Sequence, residues 1–304
     1  MSPTLRDRDA PPLPRAQWRR RAADHEDRIR ALIGPYLQAR RRGEKHPVID
    51  FLFTYYNTRP GQLLRWHPGY PTALADAADY AGLAGYRTRP DGAVAVDEAC
   101  LRHRRELLDS IAALLAATAA RPPRFGCFGL HEWAMVYRTD TPRHALPLRL
   151  GRAGTDAVVE SRPLHCTHYD AFRFFTEPAQ PRNTVALSRA HQLDNEQPGC
   201  LHATMDLYRY CLRLTPLLPG ELLADAFELA LAARVLDMRA SPYDLTALGY
   251  TPVPIETPAD RAEYIAGQTA IADRGTALRR ELLTACETLL TTARTGGNRF
   301  DTAE

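Results

Sequence analysis

Lysine is nearly absent from this chain: of 39 basic side chains in 304 residues, Lys45 is the only one that is not arginine. GC-rich coding accounts for that bias, so the arginine count by itself says little about nucleic acid. The six cysteines, at 100, 127, 166, 200, 211 and 286, form no Cys-x-x-Cys pair. That excludes a zinc ribbon and a thioredoxin-like motif, and reduced, mostly buried thiols are expected. No apolar run approaches the roughly 20 residues of a membrane helix; residues 111–120 form one of the longest. The N-terminus carries charges and prolines where a signal peptide needs an apolar core. A cytoplasmic protein with no membrane partner is expected. Neither His-Glu-x-x-His nor His-x-Glu with Pro-Cys-x-x-Cys occurs, which removes two zinc-enzyme signatures.

What remains is an ordinary globular composition, 45% apolar and 25% charged, long enough for one large domain or two small ones. Residues 1–45 hold twelve Lys/Arg against six Asp/Glu, or +6, leaving −3 for the rest of a chain at +3. A basic arm of this kind suits phosphate. A solvated helix face laced by pairs such as Asp24–Arg28 and Glu26–Arg30 produces the same count.

The pattern predicts a mainly α fold: a single compact multi-helix domain with at most a small β-hairpin or sheet. Residues 1–14, with four prolines, read as a disordered arm, 15–294 as the domain and 295–304 as a flexible tail. A helix is expected from about Pro14 to Arg42, bent near Pro35, and a buried one over 46–56. Asp97 should cap a long helix ending at Arg121-Pro-Pro. Residues 93–96, 146–150 and 156–160 are strand candidates. Residues 177–198 lack periodicity, and a loop of that length is usually functional or mobile. Helices follow over 201–214, 221–238 and 257–294, the last opened by Thr257-Pro-Ala-Asp.

Three segments then stand out: Phe125-Gly-Cys-Phe-Gly-Leu-His-Glu-Trp-Ala-Met-Val-Tyr137, Leu164-His-Cys-Thr-His-Tyr-Asp-Ala-Phe-Arg-Phe-Phe175 and Gly199-Cys-Leu-His-Ala-Thr-Met-Asp-Leu-Tyr208. Each sets imidazole near carboxylate among aromatics. Burying such groups unpaired costs several kcal/mol, so the segments either pair with one another or line a working pocket. His131, Glu132, Asp170, His202 and Asp206 are the candidate catalytic residues. His202 and Asp206, four apart, share a helix face. Desolvation should raise the pKa of Glu132 or Asp170, with a protonated histidine opposing. Phe128, Trp133, Tyr137, Tyr169, Phe172 and Arg173 are candidates for holding a flat substrate. The alternative is a metal site: His165 and His168, three apart, with His202, would suit iron or zinc. Glu221, Asp225 and Glu228 follow one helix face and read as a wetted surface.

Longer strings, among them Gly43-Glu-Lys-His-Pro-Val, Arg65-Trp-His-Pro-Gly69, Arg121-Pro-Pro-Arg-Phe-Gly-Cys-Phe-Gly-Leu-His-Glu-Trp-Ala-Met-Val-Tyr-Arg138, Glu196-Gln-Pro-Gly-Cys-Leu-His-Ala203 and Leu236-Asp-Met-Arg-Ala-Ser-Pro-Tyr-Asp-Leu245, resemble a family of high-GC bacterial proteins commonly labelled 3-methyladenine DNA glycosylase. The likeness spans residues 15–285. It implies hydrolysis of the N-glycosidic bond of alkylated purines in DNA, with no cofactor. A flipped base would stack on aromatics. Phosphates would meet the N-terminal arginines and Arg124. The helix-hairpin-helix of many glycosylases is missing, because Leu218-Pro-Gly-Glu221 lacks the second glycine and sets an acid where phosphate would lie. The alternative function is a metal-dependent oxidase or hydrolase acting on a small molecule. Oligomeric state is left open.

Overall fold

Helix-forming stretches are separated by Pro- and Gly-bearing turns, and the computed structural model, which describes residues 10–297, follows them. In chain order the helices are α1 (Arg15–Arg41), α2 (Asp50–Thr54), α3 (Pro60–Leu64), α4 (Ala78–Ala81), α5 (Glu98–His103), α6 (Arg105–Ala119), α7 (Leu130–Ala134), α8 (Gly151–Glu160), α9 (Tyr169–Phe172), α10 (Gln192–Asn195), α11 (Leu201–Leu214), α12 (Gly220–Arg239) and α13 (Asp260–Gly297). Strands β1 (Ala73–Leu74), β2 (Tyr86–Thr88) and β3 (Val94–Val96) form an antiparallel sheet in the order β1-β3-β2, with Ala73 opposite Ala95 and Tyr86 opposite Val96. The chain is thus a mainly α single domain with one small sheet, as its pattern predicts.

The centre of the domain is α12. Leu222, Leu223, Phe227, Leu229, Ala230 and Ala233 are buried around its circumference, as befits a helix enclosed by others. It packs on α11, α13 and α1, and α13 in turn packs on α6 and α11. Gly275 explains how α13 approaches so closely: a Cβ there would stand 2.9 Å from the Thr204 hydroxyl of α11. Accordingly α13 runs through Gly275 without interruption.

Several local expectations change. Residues 151–160 form a helix rather than a strand, with Thr155 and Val159, four apart, turned inward; Leu148 makes only an isolated bridge to Tyr243. The helix after Asp97 is broken at Arg104, although Asp97 caps it as expected by accepting from the Ala99 N–H at 2.9 Å. The buried helix sought over 46–56 contracts to α2. Of the first fourteen residues, 1–9 lie outside the described residues. Leu13 is fully buried, donating to Ala73 O and accepting from Ala75 N–H, so the ordered end of that arm extends the sheet edge. The tail boundary at 294 falls inside α13, and 298–304 lie outside the described residues.

Candidate functional site

The short helix α7 begins after two left-handed residues, Phe128 (φ 51°) and Gly129 (φ 72°). A side chain at Gly129 would meet Ala240 and Tyr264 at 3.4 Å, so the glycine lets this turn sit against the end of α12. That contact brings His131 and Glu132 to Arg234 and Asp237. His131 Nε2 lies 2.7 Å from Asp237 Oδ1, and its Nδ1 lies 3.2 Å from Cys127 Sγ. Arg234 donates to Glu132 at 2.7 Å and to Asp237 at 3.3 Å, with its guanidinium 4.3 Å over the Phe51 ring. All four charged groups are buried. Burial pushes the Glu132 pKa up, as expected from the sequence, but Arg234 and His131 outweigh it and bring the carboxyl down to about 2. Burial likewise opposes a charge on His131, yet Asp237 prevails and holds the imidazole well above its ordinary range.

Beside this group stands the inner face of α11. His202 meets the His131 ring edge-on at 4.6 Å and stacks on His168 at 5.4 Å. Burial, reinforced by the neighbouring His131 charge, keeps it neutral. His168 lies between two acids, Nδ1 3.0 Å from Glu196 and Nε2 3.6 Å from Asp206. Burial disfavours its charge, but Glu196 and then Asp206 raise its pKa. Burial raises the pKa of Asp206 against the pull of Arg209 and His168; Tyr56 donates to it at 3.3 Å.

Asp170 completes the constellation from α9. Arg189 and Arg209 reach it at 2.6 and 2.7 Å, and Arg173 at 3.3 Å. Burial pushes the Asp170 carboxyl up, but Arg209 outweighs it and the pKa falls; the upward shift expected for this acid is not realised. A cavity of about 180 Å³ opens between these groups, lined by Phe51, Tyr55, Phe174, Glu132, Asp170, His202 and Arg234. Behind His202 a second hollow of about 10 Å³, bordered by Cys127, His131 and Gln197, is the size of one water.

The three sequence segments therefore converge, bringing His131, Glu132, His168, Asp170, His202 and Asp206 together. The expected metal trio does not assemble. His165 is exposed and bonds Thr184 at 3.3 Å, because only residues 169–172 are helical and the spacing of His165 and His168 imposes no common face. Trp133 is a core residue, fully buried with its indole donating to Ala240 O. Tyr137 is core as well, its hydroxyl donating to Glu160. Phe172 packs on Phe175, Tyr169 lies under Arg189 and Phe128 under Arg261; none of these five aromatics lines the larger cavity. Arg173 stacks over Phe174 at 4.0 Å, as does Arg143; Arg143 and Phe174 line the cavity, and Arg173 does not.

Sequence reasoning did not assign Asp237, Arg234, Glu196 or Arg209 to this site. The i,i+3 pair Arg234–Asp237 was the available signal. Arg239, two residues beyond Asp237, turns away to Thr251 O and Glu263.

Two of the α1 arginines are taken up internally: Arg21 pairs with Glu221, and Arg28 with Asp225 and Glu228, at 2.6–2.8 Å, while Arg15, Arg20 and Arg30 stay exposed. The acidic face of α12 is thus a half-exposed seam with α1, its three carboxylates 36–46% exposed. The Leu218-Pro-Gly turn is buried under residues 65–70, with Gly220 N–H donating to His67 O. A Cβ at Gly220 would come within 2.6 Å of Trp66. The Gly220 amide is therefore not free to hold phosphate. Arg124 borders the smaller hollow, and its backbone N–H donates to Gln197. No helix among the described residues is long and apolar enough to cross a membrane. No protein-family model, curated protein or solved structure matches this chain.

Proposed function

We propose that this protein is an N-glycosyl hydrolase that releases alkylated purines, such as 3-methyladenine, from DNA, with the 180 Å³ cavity as its base pocket. One observation carries the reading: the carboxylate Glu132, paired with Arg234 at 2.7 Å, and the imidazole His202 line one pocket with the aromatic rings of Phe51, Tyr55 and Phe174. An alkylated purine is already a good leaving group, so the enzyme need not protonate it strongly. What the reaction requires is negative charge near the sugar cation and a positioned water. Glu132 supplies the first and His202 an acceptor for the second. Phe51, Tyr55 and Phe174 supply π faces for an extruded base.

Phosphate recognition then falls to the pocket rim. Arg143 and Arg173 are exposed and clasp Phe174 from opposite sides of the sequence, and Arg189 is exposed beside them. Arg21 and Arg28 of α1, occupied by α12, take no part.

A second reading, a metal-dependent enzyme acting on a small molecule, is favoured by a separate observation: His131, His202 and Asp237 place donor atoms within 4.8 Å of one another. The two are separated by incubating the protein with methylated duplex DNA, with and without EDTA. Release of 3-methyladenine that Glu132→Gln reduces at least tenfold in a folded variant supports the first. Absence of release at enzyme concentrations equal to the DNA overturns it.

A further inference from the structure

Buried side chains converge on Asp237: His131 reaches it at 2.7 Å and Arg234 at 3.3 Å, while the His202 ring meets His131 edge-on at 4.6 Å.

We infer that His131, His202 and Asp237 bind one divalent transition-metal ion, a single partner for all three side chains. The metal site deepens the hydrolase reading, resting on it only for what the bound water does. Three features of the geometry support it. The donor atoms lie within 4.8 Å of one another, with His131 and Asp237 already at 2.7 Å; ligands bound at about 2.1 Å sit roughly 3 Å apart. His131 offers Nε2 inward while its other nitrogen faces Cys127 Sγ at 3.2 Å, the outer contact that orients a ligating imidazole. Finally, His202 borders both the one-water hollow and the larger cavity, so a coordination position remains open toward substrate.

Two imidazoles and one carboxylate select iron(II), zinc or a similar ion over calcium or magnesium, which prefer oxygen. The neighbouring trio His168, Glu196 and Asp206 is different in kind. Its acids approach opposite nitrogens of one ring, which is the arrangement of an imidazolium between two carboxylates. With the ion in place His202 would act as its ligand rather than as the water's acceptor; the metal would hold the attacking water, and Glu132 would remain the charge beside the sugar.

The test uses the full chain, stripped with EDTA and titrated with cobalt(II) as a spectroscopic probe. One equivalent should bind, with visible absorption from nitrogen and oxygen ligation and a raised melting temperature. His202→Ala should abolish both signals while circular dichroism stays unchanged; His202→Asn serves as a second variant. His165→Ala should retain both signals. Folded wild-type protein that takes up no stoichiometric cobalt overturns the site, as does His202→Ala binding as tightly as wild type. Base release is measured in parallel. Release without metal binding removes the metal site alone, and metal binding without release removes the glycosylase reading alone.

Discussion

Replacing Arg234 by methionine tests whether the charged floor of the pocket is held by ion pairing. Methionine keeps most of the aliphatic stem, so packing loss is small, while Glu132 and Asp237 lose the guanidinium that stands 2.7 and 3.3 Å away. Only 2% of the arginine is exposed, so water cannot replace it. Breaking a buried pair in this way costs about 3–5 kcal/mol. The lost stacking over Phe51 at 4.3 Å adds up to about 1 kcal/mol. Against a native stability of about 5–15 kcal/mol, Arg234→Met should shift the urea midpoint strongly and leave the protein close to unfolding. The double variant Glu132→Gln/Arg234→Met removes one orphaned charge and should regain about 1–3 kcal/mol relative to additivity. A single-variant loss below about 1 kcal/mol, or strict additivity in the cycle, would refute the assignment.

Other perturbations have equally definite signs. His67 is buried against the Tyr86 hydroxyl at 2.7 Å, and burial lowers its pKa from 6.5 to about 4. The unfolded chain therefore takes up this proton first as pH falls. The contribution is intact above pH 6.5 and lost progressively down to about pH 4, roughly 3 kcal/mol in all. His67→Asn should flatten the stability profile across that window; an unchanged slope counts against the assignment. Gly220→Ala would drive a methyl to 2.6 Å from Trp66 and should destabilise by about 1–3 kcal/mol, with an unaltered thermal midpoint as the contrary result. Arg28→Ala should release the α1–α12 clasp made with Asp225 and Glu228. Because those groups are half-exposed, the loss should stay near 1 kcal/mol and shrink further in high salt, as denaturation at two ionic strengths will show.

Periodicity and capping made most of the helices legible. Asp97, Thr257 and the Arg121-Pro-Pro stop act locally, through the backbone's own unsatisfied groups. The readings that failed were those in which spacing was asked to imply direction. His165 and His168 would share a face only on a helix, and the chain is extended there until residue 169. Trp133 and Tyr137 are as aromatic as Phe51 and Tyr55, and nothing local distinguishes a core ring from a pocket ring. Residues 156–160 carry β-branched side chains yet join a helix, because Thr155 and Val159 find the core one turn apart.

Sequence alone determined that imidazole and acid are dense in three segments and that His202 and Asp206 share a helical face. Both properties follow from composition and from the geometry of one helix. Which acid meets which base was decided only by tertiary packing. Asp237 lies 106 residues from His131, and Arg234 lies 102 from Glu132. They meet because Gly129 lets α7 rest against the end of α12. Local periodicity carries no record of that encounter, since it depends on how two separate helices share one buried surface.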